Sequence, residues 1–516
     1  MSTSRTRLSP HDSTFLYWER PEQPFHVGEC MIYKGKVTAA EMIRMLEERM
    51  HLLPRYRQRV VFPPLAAAHP VWQDDPDFDL SRHVVEATLP APGGDREIST
   101  FCGQLFCELI DREHPLWHMT VIDGHVSGDT VIFLKLHHAM VDGVSSVELI
   151  EVLHSTKPGA EPPPAPASKW QPRPLPSKVD LLREAAADQY DAALGVVRGM
   201  ANLLRPGAPQ ELARRVKLVA KTASEAGRLM LTPPPETPFN KPITAAREFC
   251  WLELPLDEVH AVRKVHGATV NDLVLTVLAG GLGRYMRREG AVTEGVELRA
   301  MCPVSVRTAD QSGTFGNQVS LVAAPLHVGV ADPVKRLGLQ KESMKKLKQD
   351  DQAAGFQQMF DTWKHIPPPV FRLMWETWPK SFAQFNIVST NVPGPREPLY
   401  LGTHELLHWY PFGVNWTTAG LFLCTLSYRE HLTLGLVADP TIVGDVWKVN
   451  EDLRAAYEEL KAASLPTAAR SRAVAAGKAR VSRTPGKARD KTRAPARPAA
   501  GRSTSTSSAS TRARKA

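Results

Sequence analysis

Apolar and polar positions divide the chain into two stretches of mixed strand and helix pattern, joined by a segment in which proline dominates. In the first stretch, Val131–Leu136 is short, mostly apolar and rich in β-formers. Ser127-Gly128-Asp129 bounds it upstream and Gly143 downstream, which predicts a buried strand rather than a helix. The chain then turns through His138–Gly143. Ser145-Ser146-Val147-Glu148 has the Ser-x-x-Glu form of a capping box and opens a helix with Leu149, Ile150, Val152 and Leu153 as its apolar positions. Upstream, Leu8–Leu16 reads as a turn leading into a short helix, and Gly28–Tyr33 as a strand. Ala39–Met50 is predicted as an amphipathic helix with Met42, Leu46 and Met50 on one face, and Met119–Asp123 as another strand.

Pro158–Pro176 contains eight prolines and is expected to be an extended crossover. Two helical stripes follow: Val179, Leu182, Ala186, Tyr190, Leu194, Val197, Ala201 and Leu204, then Leu212, Val216, Val219, Ala223, Ala226 and Met230. Such stripes usually pack on the protein's own body. The alternative is that they lie in a membrane interface with Arg205, Arg214, Arg215, Lys217, Lys221 and Arg228 toward headgroups. Thr232–Pro242 closes the linker, and a second α/β half runs from about Arg247 to Leu465. There Thr269, Asn271 and Asp272 are all good caps for an apolar helix, and Asn386–Pro393 is a strand leaving into a Pro-Gly turn. The expected units are 1–157, a linker at 158–245, 246–465, and a tail at 466–516.

Composition is that of a globular protein, with 43% hydrophobic and 23% charged residues. The net charge of +8 belongs to the tail, which holds fourteen Lys/Arg and one acid, Asp490; removing its +13 leaves the body at −5. Built of Ala, Arg, Lys, Pro, Ser and Thr, the tail is expected to be disordered. If it binds anything, anionic lipid or nucleic acid is the partner class, and an acidic body argues against nucleic acid. No apolar run reaches the roughly 18 residues that span a bilayer, and Met1–Arg7 is polar, so a cytoplasmic protein is expected. Cys30, Cys102, Cys107, Cys250, Cys302 and Cys424 lack metal-site spacing and read as reduced core thiols.

Candidate chemistry concentrates where the apolar run ends, in His137-His138-Ala139-Met140-Val141-Asp142-Gly143. A strand-to-helix corner presents side chains from rigid elements into a crevice, and an imidazole there can take a proton from an attacking hydroxyl. His138 is the candidate base. His137, adjacent on extended backbone, points the other way and is assigned packing or hydrogen bonding. Asp142 either orients His138 or pins the turn through backbone N–H groups or an Arg salt bridge, with Arg307 a candidate partner. No Gly-x-Ser-x-Gly elbow and no convergent metal ligands accompany the motif.

His-His-x-x-x-Asp-Gly resembles the signature of CoA-dependent acyltransferases, shared by chloramphenicol acetyltransferases, peptide-synthetase condensation domains and bacterial wax ester synthase/diacylglycerol acyltransferases. Further blocks choose among them. Leu8-Ser9-Pro10-His11-Asp12-Ser13-Thr14-Phe15-Leu16, Pro115-Leu116-Trp117, Asn271-Asp272, Met301–Arg307, Gly316–Ser320 and Asn391-Val392-Pro393-Gly394-Pro395 resemble the wax ester synthase/diacylglycerol acyltransferase family in order and spacing. Ser427–Leu432 departs from it, lacking the usual Gly or Asp in a hairpin turn.

The resemblance implies two chloramphenicol-acetyltransferase-like domains, each a mixed sheet flanked by helices, with the active-site channel between them. It also implies acyl transfer from long-chain acyl-CoA, as cosubstrate, to diacylglycerol or a long-chain fatty alcohol, with no bound cofactor. Asn271 is then a candidate oxyanion or acceptor-orienting donor, with Asp272, Pro115, Leu116 and Trp117 as substrate-binding candidates, although core packing is the plainer role for Trp117. A condensation-like acyltransferase and a non-catalytic lipid-inclusion protein are the alternatives. The expected location is peripheral, at the inner membrane face or lipid inclusions.

Overall fold

The computed structural model describes residues 6–140, 145–166, 168–202, 232–305, 319–349, 352–379 and 385–465. Two six-stranded mixed sheets organise them. In the first, the order is Tyr400–Leu401, His404–Phe412, His26–Tyr33, Thr130–His137, Trp117–Asp123, Val84–Thr88, and only the last pair is parallel. In the second it is Val319–Leu326, Leu298–Ser305, Ile387–Pro393, Leu421–Tyr428, His431–Ala438, Glu248–Pro255. There Ile387–Pro393 is parallel to both neighbours and the other pairs are antiparallel. A small sheet joins Thr6–Arg7, Val71–Asp74 and Gln58–Val61.

The apolar run becomes the strand Thr130–His137, buried along its whole length. Its antiparallel register sets His137 opposite His26, Leu136 opposite Val27 and Leu134 opposite Glu29. Lys135 is tolerated there because its Nζ donates to the carbonyls of Leu105 and Glu108, at 2.6 and 2.7 Å, at the end of the helix Asp95–Cys107. Carbonyls left open at a helix C-terminus favour a cation. The predicted Ala39–Met50 helix spans Ala39–Glu47 and gives way to a 3₁₀ turn at Met50–Leu52.

Three expectations are corrected. The second half does not close on itself: Tyr400–Leu401 and His404–Phe412 cross over to complete the first sheet, His404–Phe412 pairing with His26–Tyr33. A strand's period reports its two faces, not which edge it will join. The closing linker is likewise part of the second core, where Phe239 is fully buried and Asn240 Nδ2 donates to the carbonyls of Asn386 and Thr418. Finally, the helix Lys178–Asn202 turns the stripe Val179, Leu182, Ala186 and Tyr190 outward and packs through Leu181 and Ala185 instead. An Arg7–Asp188 ion pair and a bond from Gln189 to the Ala67 carbonyl hold it in that rotation. The second stripe, Leu212–Met230, and the tail lie outside the described residues.

The hairpin that lacks a glycine is compensated locally. Arg429 takes φ +51°, its N–H donates to the Pro395 carbonyl at 3.0 Å, and its guanidinium meets Glu405 and Glu430. Bonds at three points hold a backbone conformation that a side-chain-bearing residue otherwise avoids.

Between the sheets lies an aromatic seam. Phe249 stacks on Phe412 at 4.0 Å and Trp251 on Tyr410 at 4.4 Å, so the crossing strand faces the strand Glu248–Pro255 of the second sheet. Ser99 of the helix Asp95–Cys107 bonds both the N–H and the carbonyl of Phe249. Two glycines permit backbones to meet: a Cβ on Gly435 would overlap the Pro411 carbonyl, and one on Gly103 the Arg247 carbonyl. Gly435→Ala and Gly103→Ala are each expected to cost about 1–3 kcal/mol by overpacking. Gly338→Ala, in an open helical position, should stabilise by roughly 0.5–1 kcal/mol. Melting curves check all three, and seam variants that melt like the wild type would show that the halves do not depend on this contact.

Candidate active site

Chain order places the N-terminal helix first. Ser9 is its N-cap, accepting from Asp12 N–H at 3.0 Å and donating to Asp12 Oδ2 at 2.7 Å, and Pro10 occupies the first turn, where a missing N–H costs nothing. This is what Leu-Ser-Pro-x-Asp does locally, and it sets the rotation of the helix. Phe15 lies on its inner face with its ring stacked on His138, centroids 4.2 Å apart and planes inclined by 27°. Beyond Phe15, His11 contacts Phe360 and Trp363.

His138 continues the sheet by one residue, its N–H donating to the Phe25 carbonyl at 2.7 Å. The residue keeps some exposure while its Nδ1 is enclosed without a well-aligned partner. Burial drives the imidazole pKa down to about 4, and His11 and His137 add to the depression. The ring's contact with its own carbonyl and the Asp12 carboxylate oppose it. At neutral pH the ring is therefore an uncharged base. Burial pushes the Asp12 carboxyl up, but His11, Ser9 and His138 together hold it below the usual range.

His137 points to the opposite face, as expected from its place beside His138. Ala139 N–H donates to its Nδ1 at 3.0 Å, so the neutral ring carries its proton on Nε2, which faces Glu19 Oε1 at 3.2 Å. Glu19 is a carboxylate with 3% of its side chain exposed. Arg112 binds its Oε2 at 2.7 and 3.2 Å, Phe25 N–H reaches Oε1 at 3.4 Å, and His26 Nε2 lies 3.6 Å from the same oxygen. Burial pushes this carboxyl up, yet His137, His26 and Arg112 outweigh it and hold it well below the usual carboxylate range. His26 donates from Nδ1 to the Phe106 carbonyl at 2.8 Å, and burial takes its pKa down to about 3.

Glu19, His26 and Arg112 are site residues that sequence reasoning missed. Their local surroundings, Trp18-Glu19-Arg20-Pro21-Glu22 and Ile110-Asp111-Arg112-Glu113, look like solvated turns. The ion pair spans 93 positions, and no local signal reports it.

Pro115-Leu116-Trp117 supports the same corner. The Leu116 carbonyl accepts His137 N–H at 2.9 Å, while the buried Trp117 indole donates to the Tyr56 carbonyl and stacks on His83 at 4.6 Å. Asp272 caps the helix Val270–Arg288 in a capping box with Thr269, and Asn271 lies half-buried in its first turn. Among the described residues, no contact joins Asn271 or Asp272 to His138. Asp142, Gly143 and Arg307 lie outside the described residues. No group of three or more His, Cys, Asp or Glu among the described residues could hold a metal. The six cysteines are free thiols, four of them buried.

Known proteins share the sequence pattern and the fold. The profile described as wax ester synthase/diacylglycerol acyltransferase catalytic domain matches residues 8–274, and the WS/DGAT C-terminal domain matches 315–461. A Mycobacterium tuberculosis protein named as a diacylglycerol O-acyltransferase is 32% identical over 431 residues, covering 82% of this chain and 88% of its own. Another from that organism, similarly named, is 31% identical over 469 residues, covering 88% and 90%. The wax ester synthase/diacylglycerol acyltransferase structure from Marinobacter aquaeolei VT8 superposes with a TM-score of 0.61 at 24% identity, over 89% of this chain and all of that one. The first condensation domain of the calcium-dependent antibiotic synthetase shares the fold with a TM-score of 0.56 at 14% identity, over 89% and 96%.

Replacing Glu19 tests the corner. Glu19→Gln keeps the shape but leaves Arg112 without its anion. The expected loss is roughly 2–3 kcal/mol, below the ~3–5 of a fully buried pair because Arg112 is a third exposed. Denaturant melts measure it, and an unchanged midpoint would refute the role given to this carboxylate.

Proposed function

This chain belongs to the wax ester synthase/diacylglycerol acyltransferase family, and on that premise we propose that His138 is the general base of its reaction. The chain is an O-acyltransferase that moves an acyl group from acyl-CoA to a hydroxyl on diacylglycerol or a long-chain alcohol. The observation that carries the role of His138 is an enclosed, uncharged imidazole at the end of a rigid strand, fixed by Phe15 on its face and the Phe25 carbonyl on its backbone.

With Nδ1 enclosed, Nε2 is the nitrogen that offers a lone pair to the acceptor hydroxyl. As the proton moves to Nε2, the hydroxyl oxygen attacks the thioester carbonyl. The tetrahedral intermediate collapses with loss of CoA thiolate, which takes the proton from Nε2, so the histidine is restored and no acyl-enzyme forms. A thioester is already activated, so positioning, one oxyanion contact and exclusion of water are what remain to be supplied, without a bound cofactor. Asn271 is the candidate for the oxyanion contact, and Asp142 for holding the turn.

His138→Ala is expected to lower turnover about 10²–10⁴-fold at equal folded fraction. His137→Ala should lose activity mainly through stability. Because the active ring must be neutral, protonation abolishes the base. The kcat/KM profile with palmitoyl-CoA should then stay level from pH 8 to below the ordinary histidine value and fall as pH approaches about 4. Near-normal turnover of folded His138→Ala would overturn the mechanism.

We also infer that the acceptor is met at an anionic lipid surface. Among the described residues no single helix is long and apolar enough to cross a membrane. The outward stripe Val179, Leu182 and Tyr190, residues 55%, 40% and 66% exposed, supports interfacial contact, and the fourteen tail cations suit anionic headgroups. Vesicle co-sedimentation separates the two. Truncation after Leu465 should remove the salt-sensitive part of binding, and Leu182→Glu with Tyr190→Glu the salt-insensitive part. Unchanged pelleting of both variants would eliminate these attachments.

A further inference from the structure

We propose that Glu29 is a specificity-determining residue that reads an oxygen substituent part-way along the acyl chain, an inference that rests on the acyl-CoA reaction assigned above. The register of the two central strands places it. His26 lies opposite His137, Val27 opposite Leu136 and Glu29 opposite Leu134, and the bond from His138 N–H to the Phe25 carbonyl carries the ladder one step further. Side chains alternate along a strand, so Phe25, Val27, Glu29 and Met31 share one face with His138, Leu136 and Leu134. Glu29 is the single acid in that lane.

Apolar neighbours on this lane suit a hydrocarbon better than a pantetheine arm, whose amides would need several polar partners. Four residues at about 3.3 Å each separate Phe25 from Glu29, roughly 13 Å, a length an extended alkyl chain covers in about ten carbon–carbon bonds.

The chemistry of Glu29 is set by its surroundings. It is 9% exposed, and its Oε2 accepts the indole N–H of Trp409, on the crossing strand, at 2.5 Å. Burial pushes its carboxyl up to about 8, with only the Trp409 bond opposing. At neutral pH it is therefore mostly a carboxylic acid, whose O–H needs an acceptor. Trp409 donates and cannot serve, and among the described residues no hydrogen bond takes that proton. An O–H so placed favours a ligand that can accept it. A hydroxyl, oxo or epoxide oxygen on the ligand would accept it. A site built around a hydrogen bond discriminates strongly against an analogue lacking the matching group.

The experiment compares kcat/KM for 10-hydroxystearoyl-CoA and stearoyl-CoA, with hexadecanol as acceptor. Wild type should take the hydroxylated chain at least as well as the plain one. Glu29→Leu should lower that ratio about tenfold or more, mainly through KM of the hydroxylated substrate, while stearoyl turnover persists. Glu29→Gln, whose amide can both accept from Trp409 and donate, should stay within about threefold of wild type. Trp409→Phe separates anchoring from recognition: the ratio should survive, and a collapse equal to that of Glu29→Leu would overturn the proposal in favour of a strand anchor. A Glu29→Leu ratio within twofold of wild type would also overturn it.

A scan needing no variant moves the hydroxyl along the chain from carbon 6 to carbon 14 in the wild type. A maximum near carbon 10 supports the proposal and a flat series sinks it. Stearoyl turnover with a flat series leaves the acyl-CoA reaction standing, whereas no turnover of any acyl-CoA overturns both.

Discussion

The buried carboxylate of Glu19 is the constraint on which the histidine corner depends. An ionised carboxyl removed from water costs several kcal/mol unless its lone pairs are matched. Here they are matched by groups from three places: Arg112 after one helix, the Phe25 N–H just before a central strand, and His137 at the end of the next. Moving any of these elements by a residue would leave either the carboxylate or the guanidinium unpaired. The cluster therefore specifies register, which in an otherwise apolar sheet is weakly defined by side-chain size alone. His138 inherits its position from that register, although it touches none of the charges directly.

The second half of the chain reaches the histidine through aromatic contacts. Trp416 packs edge-on against Trp18 at 4.9 Å and near Phe25, while Phe371 and Trp375 of the helix Pro368–Glu376 lie against Tyr17 and Trp18. The helix that supplies Phe15 is thus held from both halves. The seam between the sheets adds stacked pairs from the crossing strand, so the two sheets share a core rather than meeting at a surface.

Much of this was legible because it is written locally. The strand before the double histidine, the helix begun by Ser145 and the cap formed by Thr269 with Asp272 each follow from a few adjacent residues. The opposite faces of His137 and His138 follow from the pleat, and Trp117 has the packing role its surroundings suggested. What the sequence could not display is long-range pairing. Glu19 finds Arg112, and Glu29 finds Trp409, 380 positions away, only once the sheets form. The outward stripe of the helix Lys178–Asn202 failed for a related reason. Periodicity identified an apolar face, but Leu181 and Ala185 beside it fit the available surface, and the stripe was turned to solvent.

The crossing of His404–Phe412 into the first sheet has a consequence for the growing chain on the ribosome. Until those residues emerge, the backbone edge of His26–Tyr33 that faces away from Thr130–His137 has no partner, although every other strand needed to frame the histidines has long been synthesised. At about 5–20 residues per second, that open edge persists for tens of seconds. Unpaired edges are templates for pairing with other chains. The last strand to join thus controls when the first sheet ceases to be a hazard.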